Sequence, residues 1–426
     1  MGTRLRVLMS AYSCEPGKGS EPEVGWQWAL QMARLHDVTV VTRANNRASI
    51  EPVLEELRGQ QPLPSFVYHD CGRALLALKR RCGAVKLYYM FWQKSAREVV
   101  RRLHQARAFD LMHHTTFATF RYPIATTGHG VPSVWGPVGG AESVPAGFLP
   151  WDHLPSLVPE VVRNWSNSWH RLFPGTVRRR ALLSSAVLAS TPEMKRVFDR
   201  LGIAARIMPT IGLNVAELPF RPRTVGKEPL RILFVGNVIS LKGIDLALEA
   251  LALSGGNATF TLIGSGNYLE TARRLAGRLG LRDRVLFRGR IPRTEVLKIY
   301  PDFDLFLFPS LHDTGGYALI EAMSNELPVV CLDCGGPAVA VGEGCGIKVP
   351  LGARQAVIRG LAGAIRLYDQ NRSRLLADGR AARQSVLRHY DWERKALEMD
   401  AVYQGATAAR PSESSPRRAG RAASAD

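Results

Sequence analysis

The sequence predicts an α/β protein built from two doubly wound, Rossmann-like parallel-sheet domains facing each other across a cleft. Three observations carry this expectation. Short apolar runs alternate with helix-period segments in both halves of the chain. The first run leads into a Gly-rich loop and then a helix, the order of a βαβ unit. An aperiodic, proline-rich stretch separates the two series. The length of 426 residues fits two domains.

In order, "RLRVLMSAY" reads as a buried strand, "SCEPGKGSEPEVG" as a loop, "WQWALQMARL" as a helix and "DVTVVTR" as the next strand. "FDLMHHTT" and "PSVWGPVGG" read as strands running into loops. In "SAVLASTPEMKRVFDRLG" a strand meets a helix capped by Thr191, with Pro192 at its first position. These elements make a first domain over residues 1–214. Residues 215–229 hold three prolines and no periodicity, as a linker does. The second domain, 230–389, shows five strands, "LRILFVGNV", "ATFTLIGSG", "RVLFRGRI", "DLFLFPS" and "LPVVCLD", alternating with helices. A last helix spans 390–404, and the Ala/Arg/Ser/Pro-rich tail of 405–426 is expected to be disordered.

The composition, 46% hydrophobic and 22% charged, is that of a soluble globular protein. No apolar run reaches the roughly 18 residues of a membrane span. The amino-terminal stretch lacks the apolar core of a secretory signal, and Arg6 stands where myristoylation needs Ser or Thr. Six scattered cysteines form no disulfide framework, which fits a cytoplasmic location. Cys331 and Cys334 lack the further ligands of a zinc site. The net charge of +19 calls for an anionic partner. It is concentrated: between Arg73 and Arg107 there are ten Lys or Arg and one acid, Glu98.

"LHDTGGYALIEAM" (311–323) places Asp313 and Glu321 eight residues apart, around two glycines at a strand-to-helix turn. A helix amino terminus there suits an anionic phosphate, and the glycines let a ligand approach. With "ILFVGNVISLKGIDLALEAL", "FTLIGSGNYLETARRLA" and "RVLFRGRIPRTEVLKIY", this order of motifs resembles the family-4 glycosyltransferases, retaining enzymes of the GT-B fold that use nucleotide-diphosphate sugars. The resemblance spans nearly the whole chain, and the helix with Trp392 resembles the family's closing helix, which crosses back onto the first domain.

The resemblance implies a set of site residues. The family's Glu-x7-Glu stands here as Asp313-x7-Glu321. Glu321 is expected on the donor ribose, and Asp313, Thr314, Gly315, Gly316 and Tyr317 on the transferred sugar and diphosphate. Lys242 and Gly243 match the family's Lys-Gly, with Lys242 on the leaving phosphate, while Asn237 replaces the usual arginine. Gly264 belongs to the same donor set. Arg290 and Ile291 match positions whose backbone reads the base. On the acceptor side are Gly17, Gly19 and Ser20 of the Gly-rich loop and Glu142 of "GPVGGAE". His113 or His114 is expected near the sugar as a catalytic group, and the sequence leaves open which of them faces the cleft.

The implied reaction moves a sugar to a hydroxyl of a glycan or lipid-linked acceptor, in cell-surface polysaccharide or glycolipid synthesis, with no cofactor and no catalytic metal. "DFD" (302–304) precedes its strand, away from the ligand edge, so it is not expected to hold a metal. "GSGNYLE" lacks the third glycine of a dinucleotide fingerprint. A sugar-nucleotide epimerase shares the architecture and is the alternative. A nucleic-acid-binding protein would explain the charge, but no nucleic-acid-binding motif appears. The basic segment surrounds an apolar-aromatic run, Leu87–Trp92, and points to peripheral binding on the cytoplasmic face of an anionic membrane.

Overall fold

The computed structural model describes residues 3–408 apart from 152, 219, 223–225 and 227–228, and leaves aside the side chains of residues 73, 80 and 82. Residues 409–426, most of the expected disordered tail, lie outside the described residues.

Two parallel sheets organise the chain. The first contains β1 (Arg6–Ser10), β2 (Asp37–Arg43), β3 (Ser65–His69), β4 (Leu111–His114), β5 (Ser133–Val138), β6 (Ala186–Ala189) and β7 (Ala205–Ile207) in the order β3-β2-β1-β4-β5-β6-β7. The second contains β8 (Arg231–Val235), β9 (Thr259–Ile263), β10 (Val285–Gly289), β11 (Leu305–Phe308), β12 (Val329–Leu332) and β13 (Gly346–Val349) in the order β10-β9-β8-β11-β12-β13. The strands foreseen from the sequence are there. β3, β7 and β13 were not foreseen, because they are short and only partly buried, so their apolar signal is weak.

In each sheet the chain order reverses once, between β1 and β4 and between β8 and β11. Helices cross on opposite faces on the two sides of such a point, leaving a crevice beyond the strands' carboxyl ends. The turns after β4, β8 and β11 open into these crevices. At the opposite end, Asp304 of "DFD" is buried and ion-paired with Arg231 at the start of β8, 2.9 Å away. It ties two strand origins together.

Local signals formed as the sequence indicated. Thr191 Oγ1 accepts a hydrogen bond from the Met194 amide at 3.3 Å, and Pro192 opens the Pro192–Arg200 helix. The closing helix, Trp392–Ala408, extends past residue 404 into the stretch expected to be tail. It lies on the first domain. Trp392 packs edge-to-face on Trp28 with ring centroids 5.1 Å apart, a contact worth about 0.5–1.5 kcal/mol beyond its buried area. Lys395 is fully enclosed, donates to the Pro209 carbonyl at 2.7 Å, and is pushed down to about 7 by burial. Val215 of the expected linker is itself buried in a short 3₁₀ turn, so that connection is docked from its start.

The basic segment folds as two helices, Arg73–Cys82 and Val85–Ala106. The second splits the apolar run. Tyr88, Tyr89 and Trp92 are buried in the first domain's core, whereas Leu87 and Phe91 face outward. Lys79 lies over the Tyr88 ring, 4.6 Å from its centroid. The apolar face offered to solvent by this segment is therefore smaller than the sequence suggested. Among the described residues no helix is long and apolar enough to cross a membrane.

Candidate active site

The two crevices face each other and enclose a cleft of about 710 Å³. The first domain contributes Ser20, Glu21, the 115–119 turn after β4, Arg121, Gly139 and Gly140. The second contributes Asn237, Lys242, Gly264, Arg290, Ile291, and the 312–317 turn after β11.

Why the turns come this close is visible in two glycines. A Cβ on Gly315 would lie 2.8 Å from Ile211 Cγ2, and one on Gly139 would lie 2.8 Å from Thr314 Cγ2. Each glycine therefore permits the domains to approach. Gly316 has φ +78° and caps the Tyr317–Ser324 helix in the left-handed conformation, so that helix points its amino end into the cleft.

Lys242 sits in a 3₁₀ turn after β8 and forms an ion pair with Asp313. Asp313 Oδ1 also accepts from the Gly315 amide at 3.1 Å. Burial by itself would raise the Asp313 carboxyl, but Lys242 and that amide outweigh it and hold the group below the usual carboxylate range. Lys242 Nζ is also 5.2 Å from the centre of the Phe308 ring. One cation and one carboxylate thus meet beside the helix amino end, where charge on a departing phosphate would be stabilised.

Glu321 is placed differently. It is buried behind the cleft wall, where Arg293 Nε donates to Oε1 at 2.7 Å and the Tyr300 hydroxyl to Oε2 at 3.1 Å. Burial raises its carboxyl, against the pull of Arg293 and Tyr300. Gly243 is likewise behind the wall: with φ +64°, its Cβ position lies 2.1 Å from the Pro309 carbonyl, so it lets the Lys242 turn pack on the β11 end. Gly17 and Gly19 lie off the cleft in open loop positions, and of the three residues expected from the Gly-rich loop only Ser20 reaches the wall.

The histidines and Glu142 require correction. His113 and His114 are both fully buried in the sheet core and absent from the cleft wall. His113 Nε2 bonds to the Gly136 carbonyl at 2.7 Å and Nδ1 to the Tyr403 hydroxyl at 2.6 Å, so it anchors the closing helix. His114 Nε2 meets the Tyr89 hydroxyl at 3.3 Å. Burial pushes them down to about 4 and about 3 respectively, so both are neutral. The sequence stopped one strand-end too early: the cleft begins at Thr115. Glu142 is a strut, not a cleft contact. It is buried, accepts from the Gly140 amide at 3.1 Å, and accepts from Thr191 Oγ1 at 2.6 Å.

The histidine in the cleft is His312, which the sequence reading passed over. It stands next to Asp313, with Nδ1 3.7 Å from Glu142 Oε2. Burial, reinforced by Arg163 and Lys242, pushes it down to about 3, so this contact is not an ion pair. Its position in "FPSLHDTGG", immediately before the acidic residue, was the available signal. Glu21 was missed for a similar reason, sitting two residues beyond Gly19. It lines the cleft, is raised by burial, and accepts from the Phe117 amide.

The comparisons with known proteins agree with this architecture. Residues 217–377 match the family described as "Glycosyl transferases group 1". The D-inositol 3-phosphate glycosyltransferase of Xylanimonas cellulosilytica is 31% identical over 251 residues, 54% of this chain and 58% of that protein. The chain thus matches little more than half the length of that curated relative. Among solved structures, sucrose-phosphate synthase from Thermosynechococcus elongatus aligns over 96% of this chain and all of that one, with a TM-score of 0.64 and 17% identity. The Anabaena protein HepE, in complex with UDP and glucose, aligns over 94% of this chain and 99% of its own, with a TM-score of 0.59 and 16% identity. Residues 217–377 are thus similar to the group 1 glycosyl transferases, and the chain that carries them has the two-sheet GT-B fold.

Proposed function

We propose that this protein is a retaining glycosyltransferase. In this reading it moves a glycosyl unit from a nucleotide-diphosphate sugar to a hydroxyl of a glycan or lipid-linked acceptor, in cell-surface polysaccharide or glycolipid synthesis. The observation that carries it is the single cleft shared by two switch points, with Lys242, Asp313 and a helix amino end on one wall and Ser20, Thr115–Thr119 and Gly140 on the other. That is a place for two substrates. No feature of the cleft favours the epimerase alternative.

The donor's diphosphate fits against Lys242 and the Tyr317 end of its helix, with Arg290 on the same wall offering positive charge where Asn237 does not. The Arg290–Ile291 backbone is assigned to the base, whose identity it does not fix. Glu321 reaches the ribose hydroxyls only if Arg293, half exposed, gives way. A carboxylate has lone pairs to spare beyond those two bonds. His312, neutral, takes the place beside the transferred sugar that the sequence assigned to His113 or His114.

In the transfer, the bond between the anomeric carbon and the diphosphate oxygen breaks. The acceptor oxygen bonds to that carbon from the same face, and its proton passes to the departing phosphate oxygen. Lys242 and the helix amino end stabilise the leaving charge. The protein is placed at the inner face of a membrane, with Arg81 and Lys86 of the basic segment on anionic lipid.

The test is a thermal-shift screen against UDP, GDP and ADP and their sugars. A ligand at about 100 times its Kd stabilises by about 2.7 kcal/mol, so a selective shift is expected with one nucleotide. Negligible shifts with all of them would remove the transferase reading.

A further inference from the structure

The Leu154–Leu172 helix is turned inside out. A surface helix ordinarily buries its apolar stripe and wets its polar one. Here the polar side chains point inward. Asn167 donates to the Glu142 carbonyl at 2.8 Å. Asn164 accepts from the Val144 amide at 3.1 Å and donates to the Val144 carbonyl at 2.7 Å. Glu160 is buried and ion-paired with Arg163. These bonds bolt the helix to the 139–144 loop, whose Gly139 and Gly140 line the cleft.

The opposite face carries Leu154, Val158, Val162, Trp165, Trp169 and Leu172, all exposed and spaced three to four residues apart. Trp165 is 66% and Leu172 74% exposed. The rings form a ladder: Trp165 and Trp169 stack with centroids 5.9 Å apart, and Trp169 meets Phe173 at 4.5 Å. A contiguous exposed patch of this kind marks an interaction surface.

The charge around it selects the partner. From His153 to Ser185 the chain has five arginines and one acid, Glu160, which is the buried one. Arg178 and Arg179 of the following helix are exposed, while Arg171 turns inward and donates to the Ala141 carbonyl. Two copies of such a surface would repel each other, whereas an anionic bilayer offers an apolar interior beneath negative headgroups. Tryptophan suits that boundary. Lys86, at the start of the Val85–Ala106 helix with its outward Leu87 and Phe91, lines the same cleft.

We infer that the outer face of the Leu154–Leu172 helix is a bilayer-docking surface that inserts Trp165, Trp169 and Leu172 among anionic lipids and presents the first-domain wall of the cleft to the membrane. The inference rests on the membrane placement proposed above and moves its apolar anchor from residues 87–92 to this helix.

The experiment is co-sedimentation of the full chain with vesicles of phosphatidylcholine alone or mixed with phosphatidylglycerol, at low and high salt. Alongside the natural chain it uses Trp165→Ser/Trp169→Ser and Arg81→Glu/Lys86→Glu. The natural chain is expected to bind the mixed vesicles, with tryptophan emission shifting to the blue, and the serine variant to bind at least about tenfold more weakly. Both serines replace exposed side chains, so circular dichroism and the nucleotide thermal shift stay unchanged. Retention of that shift separates failure of docking from failure of the transferase reading. The inference is overturned if the natural chain stays in the supernatant, if the serine variant binds as well as the natural chain while the charge variant does not, or if sedimentation shows a dimer that the serine substitutions dissociate.

Discussion

Lys242 and Asp313, 71 residues apart in sequence, are ion-paired on the second-domain wall of the cleft. The turn after β8 supplies the cation and the turn after β11 the carboxylate, and these strands are neighbours only because the chain reverses between them. In the proposed reading, Asp313 holds the Lys242 charge that a diphosphate would take.

Two opposite effects are expected from dissecting the pair. Lys242→Ala should lower turnover by about 10²–10³ while the fold survives, as when any contact to a leaving charge is removed. Asp313→Asn should also slow turnover, but tighten nucleotide diphosphate binding by about 2- to 5-fold, because the competing anion is gone. Steady-state kinetics and calorimetric titration with the nucleotide check both. The Asp313 carboxyl contributes stability that is complete above its unfolded value of about 3.9 and lost as the pH falls through its lower folded value. Asp313→Asn should flatten the acid limb of the melting curve.

The spacing at Gly315 should be testable by overpacking. Gly315→Ala places a methyl 2.8 Å from Ile211 Cγ2 and 3.2 Å from Thr210 Oγ1, so the domains must part slightly, at a cost of about 1–3 kcal/mol. Ile211→Ala removes the clashing methyl. The double variant should be more stable, and turn over faster, than the sum of the two single changes predicts. Strict additivity in melting temperature would mean that the contact does not set the approach of the domains.

No histidine limb is expected in the pH–rate profile. His312 is pushed down to about 3, His113 to about 4 and His114 to about 3, each chiefly by burial, so all three are neutral across the ordinary range around 6.5. His312→Asn should reduce turnover without moving either limb of the profile. A limb near 6.5 that vanishes in His312→Asn would make this imidazole an acid–base group.

Lys395 links pH to the attachment of the closing helix. Its ammonium is pushed down to about 7 by burial, against an ordinary value of about 10.4 in the unfolded chain. Between those values the unfolded state binds the extra proton, so stability from this group rises with pH across the window and is flat below it. Lys395→Met should abolish that rise relative to the natural chain. Denaturation midpoints at pH 6, 8 and 10 provide the comparison.

The sequence by itself determined the two-domain parallel architecture, the Thr191 cap and the turns after β8 and β11, because each depends on residues close together along the chain. Apolar runs, a proline break and Lys-Gly or His-Asp-Thr-Gly-Gly at a strand end are local patterns, and local backbone physics acts on them directly. It also marked the region around residue 20 and the 136–142 loop as cleft elements.

Tertiary structure decided which side of each element faces the cleft. "DLMHHTT" does not say where β4 stops being core. His113 was claimed by Tyr403, 290 residues away, and the cleft began at Thr115. Glu142 looks like a ligand carboxylate in sequence, but Thr191 and the Gly140 amide hold it, and Glu321 is buried between Arg293 and Tyr300 behind the cleft wall. The apolar run at 87–92 was divided by helical rotation into a core half and a surface half. The Leu154–Leu172 helix carried an apolar stripe that would ordinarily be read as core. It faces outward because Asn164 and Asn167 found their hydrogen-bond partners on the inside, and a buried polar group without a partner costs more than an exposed leucine.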